Sequence, residues 1–196
     1  MFAVRIHGRG GQGAVTAAEM LSVAAFGEGR HAQAFPTFGS ERTGAPVVSF
    51  CRIDDRPIRV REPISEPDAV VVQDPTLLHQ VDLFAGLGPD GYLLVNTSKT
   101  LEQLGLAELA QTLDVRRVAT VPATELAREL LGRPLPNAAL LGGFAALTGQ
   151  VGLDAVTAAI RERFAGAVGE GNAKAAEAAF DHVLASAGSH DSAEVH

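Results

Sequence analysis

MFAVRIHGRGGQGAV, residues 1–15, is the stretch from which the architecture follows. An apolar run at residues 2–6 gives way to Gly8, Gly10, Gly11 and Gly13. An alanine-rich segment comes next, with Ala17, Met20, Leu21, Ala24 and Ala25 at helical spacing. Strand, glycine turn and helix in that order open an α/β sheet. Glycines let backbone N–H groups approach a ligand, and the first turn of the helix leaves several donors unpaired, so the turn favours a phosphate or carboxylate. Gly8, Gly10 and Gly13 fit the G-x-G-x-x-G dinucleotide spacing. The second strand, expected at residues 31–35, has no Asp or Glu at its end to hold a ribose hydroxyl, which weighs against plain NAD binding. The plainer alternative is a tight turn for close helix–strand packing.

Working outward, the same alternation continues. Residues 16–26 read as the first helix, ended by Gly27 and Gly29. PTFGSERTGAP, residues 36–46, breaks any regular period and reads as a shaped surface loop. Residues 47–53 read as a strand, followed by a turn at Asp54-Asp55-Arg56-Pro57 and a short returning strand at residues 58–60. The fully apolar run 69–72, closed by Gln73-Asp74-Pro75, and the run 92–95, closed by Asn96-Thr97-Ser98, have the pattern of buried parallel strands. Residues 117–121 give the last strand. Helices are expected at 76–84, 101–109, 123–131, 138–150, 154–164 and 173–187, with Asn137 and Asn172 as N-caps. The expected fold is α/β: a single open, mostly parallel but mixed sheet with helices on both faces, Rossmann-like. It forms one domain, residues 1–185, with a flexible tail at 186–196.

A chain of 196 residues with 46% hydrophobic and 20% charged residues suits one soluble core. Its net charge of −7 argues against a nucleic-acid surface, whose usual footprint is basic. The single cysteine, Cys51, lies in an expected strand, so this chain alone builds neither a disulfide framework nor a cysteine-held cluster. No apolar run has the length of a membrane span, and no signal-peptide pattern opens the sequence. A cytoplasmic location is therefore the expectation.

Three segments follow strand ends and are able to converge on one crevice: residues 8–13, 36–46 and 96–98. Gln12 offers an amide to a phosphate or a neighbouring subunit, or else serves as a solvated or capping polar group. Arg42 has the geometry to clamp a phosphate, or pairs locally with Glu41. Arg5 and His7 are odd in a central strand, and place it at an edge or interface unless His7 is a satisfied buried histidine. No histidine metal spacing and no nucleophile elbow is present, so the residues favour a binding module over a complete enzyme.

RIHGRGGQGAVTAAEML, QAFPTFGSERTGAPVVSFCRIDDRPIR and EPDAVVVQDPTLL, with LLVNTS, PNAALLGGFAAL and GNAKAAEAAF further on, closely resemble the gamma subunit or domain of the 2-oxoacid:ferredoxin oxidoreductases, nearest the pyruvate synthase type. The resemblance covers nearly the whole chain. It implies a multi-subunit enzyme that decarboxylates a 2-oxo acid on thiamine diphosphate, passes electrons through iron–sulfur clusters to ferredoxin or another acceptor, and forms an acyl-coenzyme A. Thiamine diphosphate and the clusters would lie on alpha, beta and delta partners, because only Pro89-Asp90-Gly91 approaches a thiamine-diphosphate motif here and it lacks the first glycine. The gamma chain would be non-redox, inactive by itself, and would help bind coenzyme A through Gly10, Gly11, Gln12, Gly13, Arg42, Thr43 and Gly44. Thr43 stands where the family more often has glycine. Pyruvate is the first substrate expected, with aryl acids such as phenylglyoxylate open. The rivals are a purely structural assembly subunit and a stand-alone Rossmann-type nucleotide-binding oxidoreductase.

Overall fold

The computed structural model describes residues 1–37 and 43–193. β1 (Phe2–Arg9) feeds through the glycine turn into α1 (Ala14–Gly27), and β2 (His31–Pro36) and β3 (Pro46–Asp54) follow. β4 (Ala69–Val72), β5 (Tyr92–Asn96) and β6 (Val118–Val121) complete a six-stranded sheet in the order β2-β3-β1-β4-β5-β6. β1, β4, β5 and β6 run parallel, while β3 is antiparallel to both β1 and β2. The expected mixed α/β sheet is therefore present, with β3 as the strand that makes it mixed.

That topology corrects one expectation. Residues 58–60 form no strand. Both hydrogen-bonding edges of β3 are already taken, by β1 and β2, so a returning strand has no edge to join. The hairpin is instead β2–β3. β1 is likewise not an edge strand, and Arg5 and His7 are buried in the middle of the sheet.

α2 (Ala107–Thr112), α3 (Ala123–Leu131), α4 (Asn137–Thr148), α5 (Leu153–Arg163) and α6 (Gly166–Ala193) complete the helices. Val4, Ile6, Cys51, Ile53, Val71, Leu94 and Val121 face the layer of α1 and α3–α6 and share its core. Alternate residues Val70, Val72, Leu93 and Val95 face the other way, onto a smaller core closed by Leu77, Leu83, Leu113 and partly buried Leu109 of α2. Helices thus lie on both faces, but unequally.

Two expected helices shrink. Residues 76–84 hold only a 3-10 turn, Pro75–His79, because the Asp74 side chain accepts from the Thr76 N–H at 2.9 Å and Pro75 fixes the start of a short turn. Residues 101–105 are turns, and the helix begins after Gly105. α6 grows in the opposite sense, beginning at Gly166 and running through Ser186 to Ala193, so the boundary expected at 185 falls inside a helix. Asn172 is therefore not an N-cap but a buried residue of that helix, its amide donating to the Val168 carbonyl at 3.0 Å. Among the described residues no helix is long and apolar enough to cross a membrane.

Candidate functional site

The alternation of β1 places Ala3, Arg5, His7 and Arg9 on one face and brings Arg9 to the carboxyl end of the strand, beside the end of its parallel neighbour β4. There Arg9 Nε meets Asp74 Oδ2 at 3.1 Å, with both side chains mostly buried. The other guanidinium nitrogens donate to Thr76 Oγ1, Gln80 Oε1 and the Gly44 carbonyl. Gln12 completes the group. Its amide donates to Asp74 Oδ2 at 2.7 Å, its Oε1 accepts from the Arg9 N–H at 2.8 Å, and its own carbonyl accepts from the Gln73 amide. Burial opposes the charge on Asp74, but the bonds from Thr76 and Gln12, with Arg9 close by, more than offset it and hold the carboxyl below its ordinary range.

The glycine turn is therefore tied to the end of β4 by side chains. One amide N–H of Gln12 is thus engaged inside the chain, on Asp74. Asp74, Arg9 and Gln73 were missed as site-shaping residues. Their signal was present in the sequence as Gln73-Asp74-Pro75-Thr76 closing an apolar strand, the pattern of a side-chain-capped turn.

The second loop meets the first where it re-emerges. Gly10 pairs with Thr43 in an isolated parallel bridge, the Gly10 N–H donates to the Ala45 carbonyl at 2.9 Å, and the Gly44 N–H donates to the Gly10 carbonyl at 3.0 Å. Gly10, Gly11, Gln12, Gly13, Thr43 and Gly44 are brought together in this way. Arg42, and with it the alternative pair to Glu41, lies outside the described residues.

Gly13 starts α1 with a left-handed φ of 76°. That φ favours glycine, and a side chain there would also place its first carbon 2.5 Å from the Asn137 amide and displace it from the Gly13 carbonyl. Asn137, expected as an N-cap, is the first residue of α4, and its amide reaches back to the Gly13 carbonyl at 3.4 Å. α1 has no side-chain cap and no acidic residue in its first turn. Among the described residues its leading N–H groups thus have no side-chain partner.

The third expected element joins only through Gln73. Asn96 is buried, its amide donating to the Gln73 carbonyl and Thr124 Oγ1, each at 2.8 Å, which braces β5 against β4 and α3. A concavity of about 370 Å³, lined by Leu101, Val118, Leu147 and Val183 among others, sits at the far edge of the sheet on β6.

Two families of chemistry fit poorly. In the dinucleotide arrangement the second strand lies directly beside the first, but here β3 separates β2 from β1 by two strand spacings, roughly 10 Å, so the end of β2 does not reach the glycine turn. Cys51 is fully buried, and desolvation pushes its thiol up to about 12, so the only cysteine offers no thiolate to a cluster.

A family described as pyruvate ferredoxin/flavodoxin oxidoreductase matches residues 3–182. The chain is 55% identical to the gamma subunit common to the pyruvate and ketoisovalerate oxidoreductases of Thermococcus kodakarensis, over 94% of this chain and 98% of that one. It is 48% identical to a pyruvate synthase subunit, PorC, of Methanothermobacter marburgensis, over 92% and 97% of the two chains. The crystal structure of a pyruvate oxidoreductase subunit from Thermotoga maritima superposes with a TM-score of 0.78 at 37% identity, covering 92% of this chain and 96% of that one. With the fold and the lengths in agreement, this chain belongs to the pyruvate ferredoxin/flavodoxin oxidoreductase family, as one of its gamma subunits.

Proposed function

We propose that this gamma subunit works in the cytoplasm as the non-redox part of a multi-subunit oxidoreductase that converts a 2-oxo acid, pyruvate first, to its acyl-coenzyme A. Thiamine diphosphate and iron–sulfur clusters sit on alpha, beta and delta partners, which pass electrons to ferredoxin or another acceptor. In this reading Gly10, Gly11, Gln12, Gly13, Arg42, Thr43 and Gly44 form part of the wall that receives coenzyme A phosphates.

The observation that carries the reading is the uncapped start of α1. Its N–H donors follow a glycine turn that Arg9, Gln12 and Asp74 hold in one shape, and Thr43 and Gly44 lie alongside. A donor set fixed before the ligand arrives suits an anionic group. Gln12 contributes by shaping the turn rather than by direct contact.

The test is Arg42→Ala in the assembled complex, with initial rates measured against coenzyme A and against pyruvate. The KM for coenzyme A is expected to rise about tenfold, as for loss of a charge-assisted contact, with the KM for pyruvate little changed. An unchanged KM for coenzyme A removes the assignment. The engagement of Arg9 and Gln12 in internal bonds favours a second reading, in which the loops only support assembly. In that case the variant lowers the yield of complex, while the complex that forms has ordinary coenzyme A kinetics.

A further inference from the structure

Residues 55–63, DRPIRVREP, cross the surface after β3 as neither helix nor strand, yet both ends are anchored. At the start, Asp55 pairs with Arg30 at 3.0 Å, and Asp54 both meets the chain's amino terminus at 3.3 Å and accepts from the Arg56 N–H. At the far end two buried arginines act. Arg52 donates to the Glu62 carbonyl, and Arg5 donates to the carbonyls of Ile64 and Ser65 and, at 2.9 Å, to that of Leu83. Among the described residues neither arginine has a carboxylate within ion-pair distance, and burial pulls the pKa of both down. Asp82 near Arg5 and Glu62 near Arg52 offset that burial only in part, and a buried cation without a directly paired carboxylate is unfavourable unless its bonds hold something in place. What they hold is this segment, with Ile64 packed under it against Ala3 and Phe50.

Between the anchors, Arg56, Arg59 and Arg61 are exposed and make no side-chain hydrogen bond or ion pair among the described residues. The backbone N–H groups of Ile58, Arg59, Val60 and Arg61 also donate to nothing within the described chain. Val60 is 42% exposed beside them. Asp54 and Asp55 at the start of the segment do not neutralise the group, because they are already paired, with the amino terminus and with Arg30. Three free guanidinium groups and a row of free donors, fixed in a chain of net charge −7, form a basic island on an acidic molecule.

We infer that residues 56–61 are a docking segment for an acidic surface of a partner subunit, which pairs with Arg56, Arg59 and Arg61 and accepts hydrogen bonds from the backbone between them. A second copy of this chain is the poorer occupant, since two bodies at −7 repel. A nucleic acid is poorer too, because the rest of the surface repels a polyanion. The inference goes beyond the coenzyme A reading, which concerns the other loops.

The experiment is co-purification of the complex through a tag on this chain, comparing wild type, the triple variant Arg56→Glu/Arg59→Glu/Arg61→Glu and the triple lysine variant, over a salt series. Partner retention is expected to fall about tenfold or more in the glutamate variant, to persist in the lysine variant, and to weaken with salt in wild type. Circular dichroism and the melting midpoint verify that the glutamate variant is folded. Should it fail to fold, Arg59→Glu alone replaces it, with a smaller loss expected in the same direction. Unchanged retention by the folded variant overturns the inference, as does arginine-dependent self-association of the wild-type chain in sedimentation with partner retention unaffected. A complex that assembles normally but has lost its coenzyme A dependence also overturns it, while leaving the coenzyme A reading in place.

Discussion

On one face of the sheet the inward side chains of the central strands are apolar or small except for Asn96, and the cover is a layer of five helices, of which α1, α4 and α6 are rich in alanine and glycine. On the other, β1 and β3 present Arg5, His7 and Arg52 beside Phe50, and the cover is irregular chain, a 3-10 turn and one short helix. The first face is sealed by close approach of backbones, the second by side chains that donate to the loops above them. Among the described residues five buried side-chain polar atoms have no partner, and four of them, Arg5 Nε, His7 Nε2, Gln33 Oε1 and Arg52 Nη1, lie on this second face. Apolar packing tolerates no added volume, whereas polar packing tolerates no added proton.

Gly142 and Gly143 in α4 are the sharpest way to break the first half of that comparison. A first side-chain carbon on Gly142 would lie 1.9 Å from the Ala176 carbonyl oxygen of α6, a backbone atom that moves only if the helices part. On Gly143 the same carbon would meet only side-chain atoms, at 3.5 Å. Gly142→Ala is expected to destabilise by more than about 3 kcal/mol, outweighing the roughly 1 kcal/mol of helix propensity it gains. Gly143→Ala is expected to be neutral or slightly stabilising. Midpoints of urea unfolding check both, and equal behaviour of the two variants means that the helices are not locked by backbone contact.

The second half is tested by pH. Burial, with Arg5 nearby adding to it, lowers the His7 pKa from 6.5 to about 4. The unfolded chain therefore takes up that proton first, and the contribution of neutral His7 to stability is complete above pH 6.5 and falls as the pH drops through the window toward 4. The loss amounts to about 3 kcal/mol across the window. His7→Leu is expected to lack it, so the difference between the two stability profiles isolates the group. Parallel profiles between those pH values place the histidine in a wetter site than its burial indicates.

The smallest effect sharpens the comparison at the site itself. Gln12→Ala removes two side-chain hydrogen bonds of the glycine turn but leaves Arg9 on Asp74, so a loss of about 1 kcal/mol is expected in the same unfolding assay. No loss means that Arg9 alone holds the turn.

Much of the first face was legible in the sequence and little of the second. Apolar periodicity placed α3 to the residue and β4 and β5 within one, since a segment packed on apolar neighbours carries that pattern in its own composition, whereas β1 runs three residues past its apolar run to Arg9. The end of β3 misled because a turn followed by Ile58 to Val60 has the local chemistry of a hairpin, while the occupancy of both β3 edges is a non-local fact. Asn137 and Asn172 misled in the same way. Both are residue types that suit caps, but the distant Gly13 turn takes the Asn137 amide, while Asn172 lies inside a helix that starts further back and donates to Val168 one turn earlier. At the site, sequence found the glycine turn and Thr43-Gly44. It did not find the ties among Arg9, Gln12 and Asp74, which bring together residues more than sixty positions apart.

The Gly10–Thr43 bridge ties the glycine turn to residues 43–45. The ordering entropy of these residues is lost when the chain folds, so any ligand that reached them would have little left to immobilise there. The same bridge means that a displacement of Thr43, whether by a ligand or a neighbouring subunit, is transmitted through Gly10 to the start of α1. The two loops thus respond to a visitor together.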